Sequence, residues 1–428
     1  MITIDETPAD VAATTGVVSE KGWMHEISRD AWWAVASAGL AWTFEVYDLA
    51  VVFVILPVLL QIFDLTKAEG SLIISISAFG SIAGGIAFGY LADRYGRLKT
   101  LYSAVIIYSA FTGGIIFCQS LPELLVLRFL GGLGMGGAWA AGASLIAETW
   151  PPQHRGKGGA IMQSGLCFGS ILAIALSALV THLSGGLEGG AWKWLFVIGA
   201  LPAILLYPMI RCTPESPIWL ARTITSAGDR EQRRTARALF DKSLFAAFSF
   251  IFCLQFVFWG VSTWIPTFLV TVKHMTFVRS TGFLFAQQLG TLAGFIMLAL
   301  IIDRIGRRPT FLLYLLIGGV ALGVLIFTMQ QELLLLATAL VGFGLGGIFG
   351  GLGPFLAEIL KSSNARALGM AITYNGGRTG ALIAPVVVGL LGSTERGFQM
   401  GMGLVGVVLM GAMAAVLLAP ETKGTELE

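Results

Sequence analysis

Long apolar stretches dominate this chain of 428 residues and restrict the folds that it can adopt. A helix of about 20 apolar residues crosses the hydrocarbon layer of a bilayer, which is roughly 30 Å thick. Only 12% of the residues are charged, about half the share of a soluble domain. The sequence therefore predicts an all-α membrane protein with twelve transmembrane helices, near residues 32–62, 71–92, 99–118, 121–149, 157–183, 192–211, 243–271, 280–302, 309–329, 332–361, 366–391 and 396–419.

Basic residues in the connections indicate how these helices are oriented. The first 30 residues are polar and lack the basic start and apolar core of a cleaved signal peptide, so we expect the N-terminus in the cytoplasm. With that orientation, 20 of the 27 Lys and Arg residues fall in cytoplasmic segments, as the positive-inside rule requires. Both termini are therefore predicted to be cytoplasmic, in a multi-pass protein of the cell inner membrane.

The longest cytoplasmic loop divides the chain into two halves of six helices each. It carries seven basic residues between Arg211 and Lys242. We predict a cytoplasmic N-terminal tail over 1–30, a six-helix bundle over 31–211, a cytoplasmic linker over 212–242, a second six-helix bundle over 243–419 and a cytoplasmic C-terminal tail over 420–428.

Three motifs recur in the second half at nearly constant spacing. The loop after the second helix reads GYLADRYGRLKTL and the loop after the eighth reads IIDRIGRRPTFL, so Asp93 and Asp303 are 210 residues apart. Glu148 and Glu358, at the ends of the fourth and tenth helices, are also 210 residues apart, and the RGKGGA and RALGMA segments that follow them are offset by 211. One six-helix unit therefore occurs twice in parallel, which is the organisation of transporters whose two bundles rock against each other.

The two DRxGR loops are candidates for a cytoplasmic gate. A short basic turn between two helices can pair with carboxylates at neighbouring helix ends, and such pairs close the cytoplasmic side in one state and break in another. Anchoring of the helices by the positive-inside rule is the alternative interpretation. The predicted gate residues are Asp93, Arg94, Arg97, Glu148, Arg155, Asp303, Arg304, Arg307, Glu358 and Arg366.

Four motifs spread over both halves point to one family. They are GYLADRYGRLKTL, RFLGGLGMGG in the fourth helix, PESPIWL after the sixth helix and DRIGRR in the second half. With them the chain resembles the major facilitator superfamily over nearly its whole length. The resemblance implies the major facilitator fold, with two six-helix bundles, and the secondary transport of a small solute.

The first helix contains GLAWTFEVYDL, which is similar to the acidic signature of organic-acid:proton symporters. Together with GASLIAETWPP it most resembles the sialate/monocarboxylate:proton symporter branch, while WIPTFL and GGRTGALIAP are similar to the aromatic-acid:proton symporter branch. The chain departs from the pattern at Glu45, where Asp is usual, and at Ala138, where monocarboxylate relatives commonly carry an acidic residue. The resemblance implies symport of a small organic anion and leaves its identity open.

Ionisable residues inside the predicted spans cost about 2.5–3.5 kcal/mol each on insertion scales and are functional by default. Glu45 and Asp48 are three residues apart and project from one face of the first helix. With a rise of 1.5 Å per residue, Arg128 lies about 10 Å below the outer surface, at a depth close to that of Glu45. An acid of the first helix can therefore pair with Arg128 of the fourth helix.

This pairing supplies a mechanism for proton coupling. A carboxylate stays ionised while Arg128 is close and takes up a proton when the arginine moves away, because an unpaired charge is unfavourable in apolar surroundings. Protonation removes the buried charge, so the loaded carrier can rock. A similar acid–arginine pairing is implied by resemblance to proton-coupled sugar porters, and a permanent ion pair that only orients the two helices is the alternative. The predicted proton-coupling residues are Asp48, Glu45 and Arg128.

Arg378 lies about 18 Å from the cytoplasmic edge of the eleventh helix, near the midplane. No acid of the second half is expected at this depth, so we predict that the guanidinium is unpaired and holds a substrate carboxylate through two parallel hydrogen bonds. Backbone carbonyls or an acid of the first half, such as Asp48, are the alternative partners. The other predicted substrate-binding residues are Asn375, Tyr374, Tyr47, Gln163, Gln255, Trp259, Gln288 and Trp139.

These patterns favour a proton-coupled symporter of a small organic anion that works by alternating access. The anion is a monocarboxylate, a sugar acid or an aromatic acid. A neutral-sugar:proton symporter and a non-transporting membrane sensor are the alternatives. An enzyme is not expected, because the spans hold no Ser/His/Asp or metal constellation and the loops are too short to fold a catalytic domain. We expect a monomer in the lipid bilayer, with no nucleic-acid partner, no metal and no cofactor apart from the proton as coupling ion.

Overall fold

The computed structural model describes residues 23–65, 67–185, 187, 189–224, 242–273, 277–360, 366–391 and 395–427. Regular structure in these residues is helical throughout, apart from single turns. The helices are α1 (Arg29–Ile62), α2 (Lys67–Tyr95), α3 (Arg97–Gly114), α4 (Leu121–Thr149), α5 (Arg155–Gln163), α6 (Gly165–Ser184), α7 (Lys193–Ala200), α8 (Pro202–Cys212), α9 (Pro217–Ile224), α10 (Lys242–Thr271), α11 (Phe277–Ile305), α12 (Arg307–Phe327), α13 (Gln331–Val341), α14 (Phe349–Ile359), α15 (Arg366–Leu391) and α16 (Glu395–Leu418).

Within this described part, ten helical segments are long and apolar enough to cross a membrane. The two remaining predicted spans correspond to the α7–α8 pair and to α15. Leu201 separates α7 from α8, and α8 begins at Pro202, which has no N–H to donate to the preceding turn. Helix α15 is 26 residues long and carries Asn375 and Arg378 at its centre, which lowers its mean hydropathy. The predicted all-α architecture is confirmed.

Two of the predicted spans are interrupted within their length. Helices α5 and α6 are separated at Ser164, so Gln163 lies at the break. In the tenth span, a π-helical turn over Gly342–Gly346 follows α13 and precedes α14. Breaks and π turns free backbone groups and recur at functional sites.

Glycines allow helices α2 and α4 to pack backbone against backbone. A Cβ atom added at Gly84 would lie 1.9 Å from the carbonyl oxygen of Leu133, and one added at Gly136 would lie 1.8 Å from that of Ser81. No side chain fits at such distances, so small residues are required at this crossing, as in other membrane helix pairs. The glycine-rich sequence of α4 therefore permits this close packing.

The two halves contact each other through helices that are equivalent in the repeat. Helix α2 packs against α15, and α11 packs against α5. Both contacts include the helix ends next to the DRxGR loops, which we call the DRxGR side. This is the side predicted to be cytoplasmic. The proposed division at 212–242 and the two tails stay predictions, and residues 1–22 and 225–241 of those segments lie outside the described residues.

Candidate functional site

A cavity of about 280 Å³ lies between the two halves, in the part of the membrane away from the DRxGR side. Most of its wall is apolar or aromatic. Six of the predicted substrate-binding residues line it: Gln163, Gln255, Trp259, Gln288, Tyr374 and Arg378. Within the described residues, no group of three His, Cys, Asp or Glu side chains could hold a metal ion.

Three other predicted substrate-binding residues lie behind this wall rather than on it. The Tyr47 hydroxyl is buried and donates to the Leu195 carbonyl at 2.9 Å. Trp139 stacks on Tyr374 with a centroid distance of 3.5 Å and an interplanar angle of 8°. The Asn375 amide donates to the carbonyl oxygen of Gly136 at 3.3 Å. The sequence places these residues at the depth of the cavity, but it does not show whether they line the cavity or lie behind its wall. At any one depth, a helix presents side chains to several different neighbours.

Arg378 is not unpaired, which corrects the expectation from the sequence. Its Nη2 lies 3.2 Å from Oε1 of Glu45 in α1, and its Nη1 donates to the Ser81 hydroxyl in α2. Glu45 is fully buried, whereas the Arg378 side chain retains 15% exposure and lines the cavity. The acid that neutralises Arg378 belongs to the other half, as the alternative prediction allowed, but it is Glu45 rather than Asp48.

Asp48 pairs with Arg128 inside the first half. Arg128 Nη1 lies 2.6 Å from Asp48 Oδ2, and the Thr112 hydroxyl donates to Asp48 Oδ1 at 2.9 Å. The predicted α1–α4 ion pair therefore exists, but the acid in it is Asp48 and not Glu45. Both side chains are almost fully buried, and neither lines the cavity.

On the DRxGR side, the second arginine of each loop pairs with the glutamate at the equivalent helix end of its own half. Arg97 donates from Nε and Nη2 to the two oxygens of Glu148, at 3.0 and 2.9 Å. Arg307 makes the same forked contact with Glu358, at 3.0 and 2.7 Å. Two parallel charge-assisted hydrogen bonds are the strong form of this interaction. Arg366, from the other half, adds a contact of 2.7 Å to Glu148.

The loop aspartates connect the two halves. Asp93 accepts hydrogen bonds from the backbone N–H groups of Ala367 and Leu368 at the start of α15. Asp303 accepts equivalent bonds from Gly156 and Lys157 at the start of α5. A carboxylate at a helix N-terminus satisfies free N–H groups and interacts favourably with the helix dipole. We call these two contacts the aspartate clamps.

The three remaining predicted gate residues are placed differently. Arg155 donates to the Thr425 carbonyl at 2.7 Å instead of pairing with Glu358, so this part of the repeat is not symmetric. Arg94 is exposed and donates to the Tyr90 hydroxyl. The backbone carbonyl of Arg304 accepts a hydrogen bond from Lys423.

Sequence reasoning missed a pair of acids that support both DRxGR loops. Glu215 accepts from the backbone N–H groups of Arg97 and Leu98, and Glu421 accepts from those of Arg307 and Arg308. The sequence does contain a pattern that could have identified them. The segments PES at 214–216 and PET at 420–422 are similar, and each follows the last helix of its half.

The residue after each of these acids carries a hydroxyl that binds the glutamate of the arginine–glutamate pair. Ser216 donates to Glu148, and Thr422 donates to Glu358. Trp42 and Ser81 are among the cavity residues that the sequence analysis did not select. Tryptophan and serine are both common in membrane helices, so the sequence alone gives no reason to select these two residues.

Comparisons with known proteins agree with this geometry. A family model described as Major Facilitator Superfamily matches residues 32–298 and 280–427. The chain is 31% identical over 402 residues to the probable 4-methylmuconolactone transporter of Cupriavidus pinatubonensis, covering 94% of this chain and 92% of that protein. It is 29% identical over 402 residues to the sialic acid transporter NanX of Escherichia coli, covering 92% and 95% of the two chains.

The fold also matches solved structures. The structure of the proton:xylose symporter XylE bound to 6-bromo-6-deoxy-D-glucose superimposes with a TM-score of 0.77 at 21% sequence identity, covering 93% of this chain and 98% of that one. At this identity the likeness concerns the fold alone. The family model and the relatives show that the chain belongs to the Major Facilitator Superfamily and is a membrane transporter, not an enzyme.

Proposed function

We propose that this transporter is a proton-coupled symporter of a small organic anion. The observation that carries the proposal is the ion pair between Glu45 and Arg378 at the wall of the cavity. Arg378 reaches the cavity, and Glu45 lies behind it. A carboxylate that enters the cavity therefore meets the guanidinium before it meets any acid. The relative named as a sialic acid transporter supports an acidic substrate.

When the substrate carboxylate replaces the Glu45 carboxylate at Arg378, substrate binding is coupled to proton uptake. An anion in the cavity competes with Glu45 for Arg378, whose planar fork suits a carboxylate in two parallel hydrogen bonds. Glu45 then loses its counter-charge in a fully buried position. A buried charge without a partner is costly, so the carboxylate takes up a proton. Substrate and proton are thus bound together, and the net charge of the site is unchanged.

Glu45 already has one oxygen that is free to carry this proton. Its Oε2 atom is buried and has no hydrogen-bond partner among the described residues, while Oε1 faces Arg378. Asp48, in contrast, has both oxygens engaged, one by Arg128 and one by Thr112. We therefore assign proton coupling to Glu45. The Asp48–Arg128 pair is assigned to orienting α1 against α4.

Alternating access requires that the two halves separate on one side while they meet on the other. The aspartate clamps and the Arg366–Glu148 pair join the halves on the DRxGR side. The cavity occupies the opposite part of the membrane. The arrangement corresponds to a carrier closed toward the predicted cytoplasm, with the site on the outer side. Rocking would break the clamps and turn the same site inward.

The remaining assignments belong to the same proposal. We place the transporter in the cell inner membrane with both termini in the cytoplasm, because most basic residues of the connections then lie inside. The functional unit is a monomer, since the proposed site is formed within one chain. The proton is the coupling ion, and no other cofactor takes part.

Uptake by proteoliposomes tests the proposal. Purified protein is reconstituted, an inward proton gradient is imposed, and radiolabelled lactate, benzoate, gluconate, sialate and glucose are compared. Accumulation of at least one acid that disappears on adding a protonophore is the expected result. Accumulation of glucose alone would exclude an anion site at Arg378. Acid uptake that is indifferent to the protonophore would exclude proton coupling.

A further inference from the structure

A second large cavity lies in the second half, between α12 and α16. It is a groove of about 780 Å³ that shares no lining residue with the central cavity. Its walls include Leu316, Met400 and Met410, whose side chains are 56%, 62% and 62% exposed. From Arg396 to Met413 it follows α16 for about 25 Å, because each residue of a helix rises by 1.5 Å. The groove is therefore long enough to hold an acyl chain of one leaflet, which is about half of a 30 Å hydrocarbon layer.

Glycines that no neighbour in the described chain requires keep this groove open. A Cβ atom added at Gly323, Gly403 or Gly406 would lie more than 4 Å from any other atom outside its own turn of helix. These positions differ from Gly84 and Gly136 of the α2–α4 crossing, where a Cβ atom would collide with backbone. Glycine inside a helix is less favourable than alanine by about 1 kcal/mol. Packing within the protein does not account for this cost.

The corresponding space of the first half is filled. Helix α3 is the repeat equivalent of α12, and position 113 is 210 residues before position 323. A Cβ atom added at Gly113 would lie 3.0 Å from Cβ of Ala200, and one added at Gly199 would lie 2.9 Å from Cγ2 of Thr112. Helix α3 thus packs directly on α7. The open groove belongs to the second half alone and is not a consequence of the shared fold.

The end of the groove away from the DRxGR side is basic. Lys273 and Arg396 both line it, and no acid is among its described lining residues. Lys273 Nζ donates to the carbonyl oxygens of Ile326 and Thr328, each at 2.7 Å, which leaves one of its three N–H groups. Arg396 is exposed and forms no ion pair with a described residue. A positively charged end thus adjoins a long apolar groove.

The position of these two residues is unusual for their charge. In the predicted orientation this end of the molecule is on the outer side, where the positive-inside rule disfavours basic residues. Two of the few basic residues there line the same groove. The five that the predicted topology assigns to the outer side are Lys67, Lys193, Lys273, Arg279 and Arg396.

We propose that this groove binds an anionic phospholipid, with its phosphate at Lys273 and Arg396 and an acyl chain along Gly323, Gly403 and Gly406. Basic pockets between transmembrane helices bind anionic lipid headgroups. The guanidinium fork of arginine matches the geometry of a phosphate. The apolar walls accept the chain, and the glycines leave room for it. An anionic lipid is complementary to both parts of the groove.

A second copy of the chain suits the groove less well. Two copies in one membrane have the same orientation, and a two-fold axis along the membrane normal would bring the same patch of each together. The basic end of one copy would then lie at the same depth as the basic end of the other, and like charges repel. A lipid phosphate removes this conflict because it supplies the opposite charge.

Native mass spectrometry of the full chain tests the headgroup site. Delipidated protein is titrated with phosphatidylglycerol or with phosphatidylcholine of the same acyl chains. A basic residue near the membrane surface contributes about 1 kcal/mol to binding an anionic lipid, which is roughly fivefold in affinity. The wild type should therefore bind one phosphatidylglycerol at least about fivefold more tightly than phosphatidylcholine. Arg396→Gln should weaken phosphatidylglycerol binding by about fivefold and leave phosphatidylcholine binding unchanged.

Lys193→Gln is the control for the charge, because Lys193 is a basic residue at the start of α7 in the first half. It should bind both lipids as the wild type does. Equal affinity of the wild type for the two lipids would overturn the headgroup site. The same conclusion would follow if Arg396→Gln kept the full preference for phosphatidylglycerol.

A variant that fills the groove tests the site of the acyl chain. Gly323→Leu combined with Gly406→Leu places side chains in the open space and should lose the one-lipid complex. Gly282→Leu of α11 is the control, since a Cβ atom there also meets nothing within 4 Å, and it should keep the complex. Thermal unfolding shows that each variant is folded.

Two results would overturn the acyl-chain site. One is a folded double variant that binds phosphatidylglycerol as tightly as the wild type. The other is a wild-type dimer that the double variant loses, since the groove would then be an interface between copies. Lipid binding is measured without a transported solute, so neither result depends on the proposed function.

Discussion

Glu45 of α1 and Arg378 of α15 form an ion pair that joins the two halves of the transporter, with Oε1 and Nη2 3.2 Å apart. The pair lies at the wall of the central cavity, with the arginine on the cavity side. Any anion that binds there competes with Glu45 for the same guanidinium. In the proposed mechanism, this one arginine links substrate binding to the protonation of Glu45.

Arg378→Lys keeps the positive charge and removes the planar fork. Lysine is a point charge and cannot make two parallel hydrogen bonds to a carboxylate. Loss of one charge-assisted hydrogen bond of about 1.5–3 kcal/mol predicts a roughly 10- to 100-fold weaker affinity for the anion, measured by equilibrium binding. Arg396→Lys, at an exposed position, is the control and should bind normally. Unchanged affinity in Arg378→Lys would argue against a forked contact with substrate.

Glu45→Gln removes the proposed proton acceptor and keeps its shape. The variant should still exchange labelled for unlabelled substrate across the membrane, because exchange needs no net proton movement. It should lose accumulation driven by a proton gradient. Glu332→Gln makes the same change on an exposed residue and should leave both activities intact. Gradient-driven accumulation by Glu45→Gln would place the coupling acid elsewhere, with Asp48 the first candidate.

Asp48→Asn breaks a buried ion pair from one side only. Arg128 would then be left as an uncompensated charge, which destabilises a protein by about 3–5 kcal/mol. We expect a clear fall in the thermal unfolding temperature in detergent. Asp64→Asn changes an exposed acid in the same way and should leave the temperature unchanged. An Asp48→Asn protein as stable as the wild type would show that the pair does not orient α1 against α4.

Asp93→Asn weakens one aspartate clamp by removing the charge that faces the start of α15. Charge–dipole interactions at helix ends contribute about 0.3–1 kcal/mol, so the state closed on the DRxGR side should lose population by about two- to fivefold. Spin labels at Tyr95 and Ile305, on a background without the four native cysteines, report the distance between the two loops. A longer distance component should grow in Asp93→Asn and grow further with Asp303→Asn.

Lys99→Gln removes an exposed charge near the same loop and is the control for this experiment. Its distance distribution should match that of the unchanged background. If the Asp93→Asn and Asp303→Asn protein also shows that same distribution, the aspartates do not hold the halves together.

The fold and the charge pairs of the DRxGR side were predictable from the sequence. Arg97 and Glu148 belong to a loop and a helix end of the same half, and the repeat places Arg307 and Glu358 at the same spacing. Local geometry and internal repetition therefore specify these pairs. Arg155 could not be predicted in this way. It donates to the carbonyl of Thr425, and the repeat does not predict a contact between these two residues.

The partners within the membrane could not be predicted in the same way. Helical rise gives the depth of a residue but not the direction of its side chain around the helix axis. Residues three apart on a helix differ by about 60° in direction. This rotation allows Asp48 to face Arg128 while Glu45 faces Arg378 of the other half. The direction is set by how the two halves meet, which a single sequence does not contain.

Proton uptake on substrate binding tests the central claim most directly. Benzoate is added to purified protein in a weakly buffered solution, and the proton change is followed with a pH indicator. If the anion displaces Glu45 from Arg378, the wild type takes up close to one proton per bound benzoate, and Glu45→Gln takes up none while still binding the anion. Benzoate binding without proton uptake by the wild type, or the same uptake by Glu45→Gln, would contradict the exchange of carboxylates on Arg378.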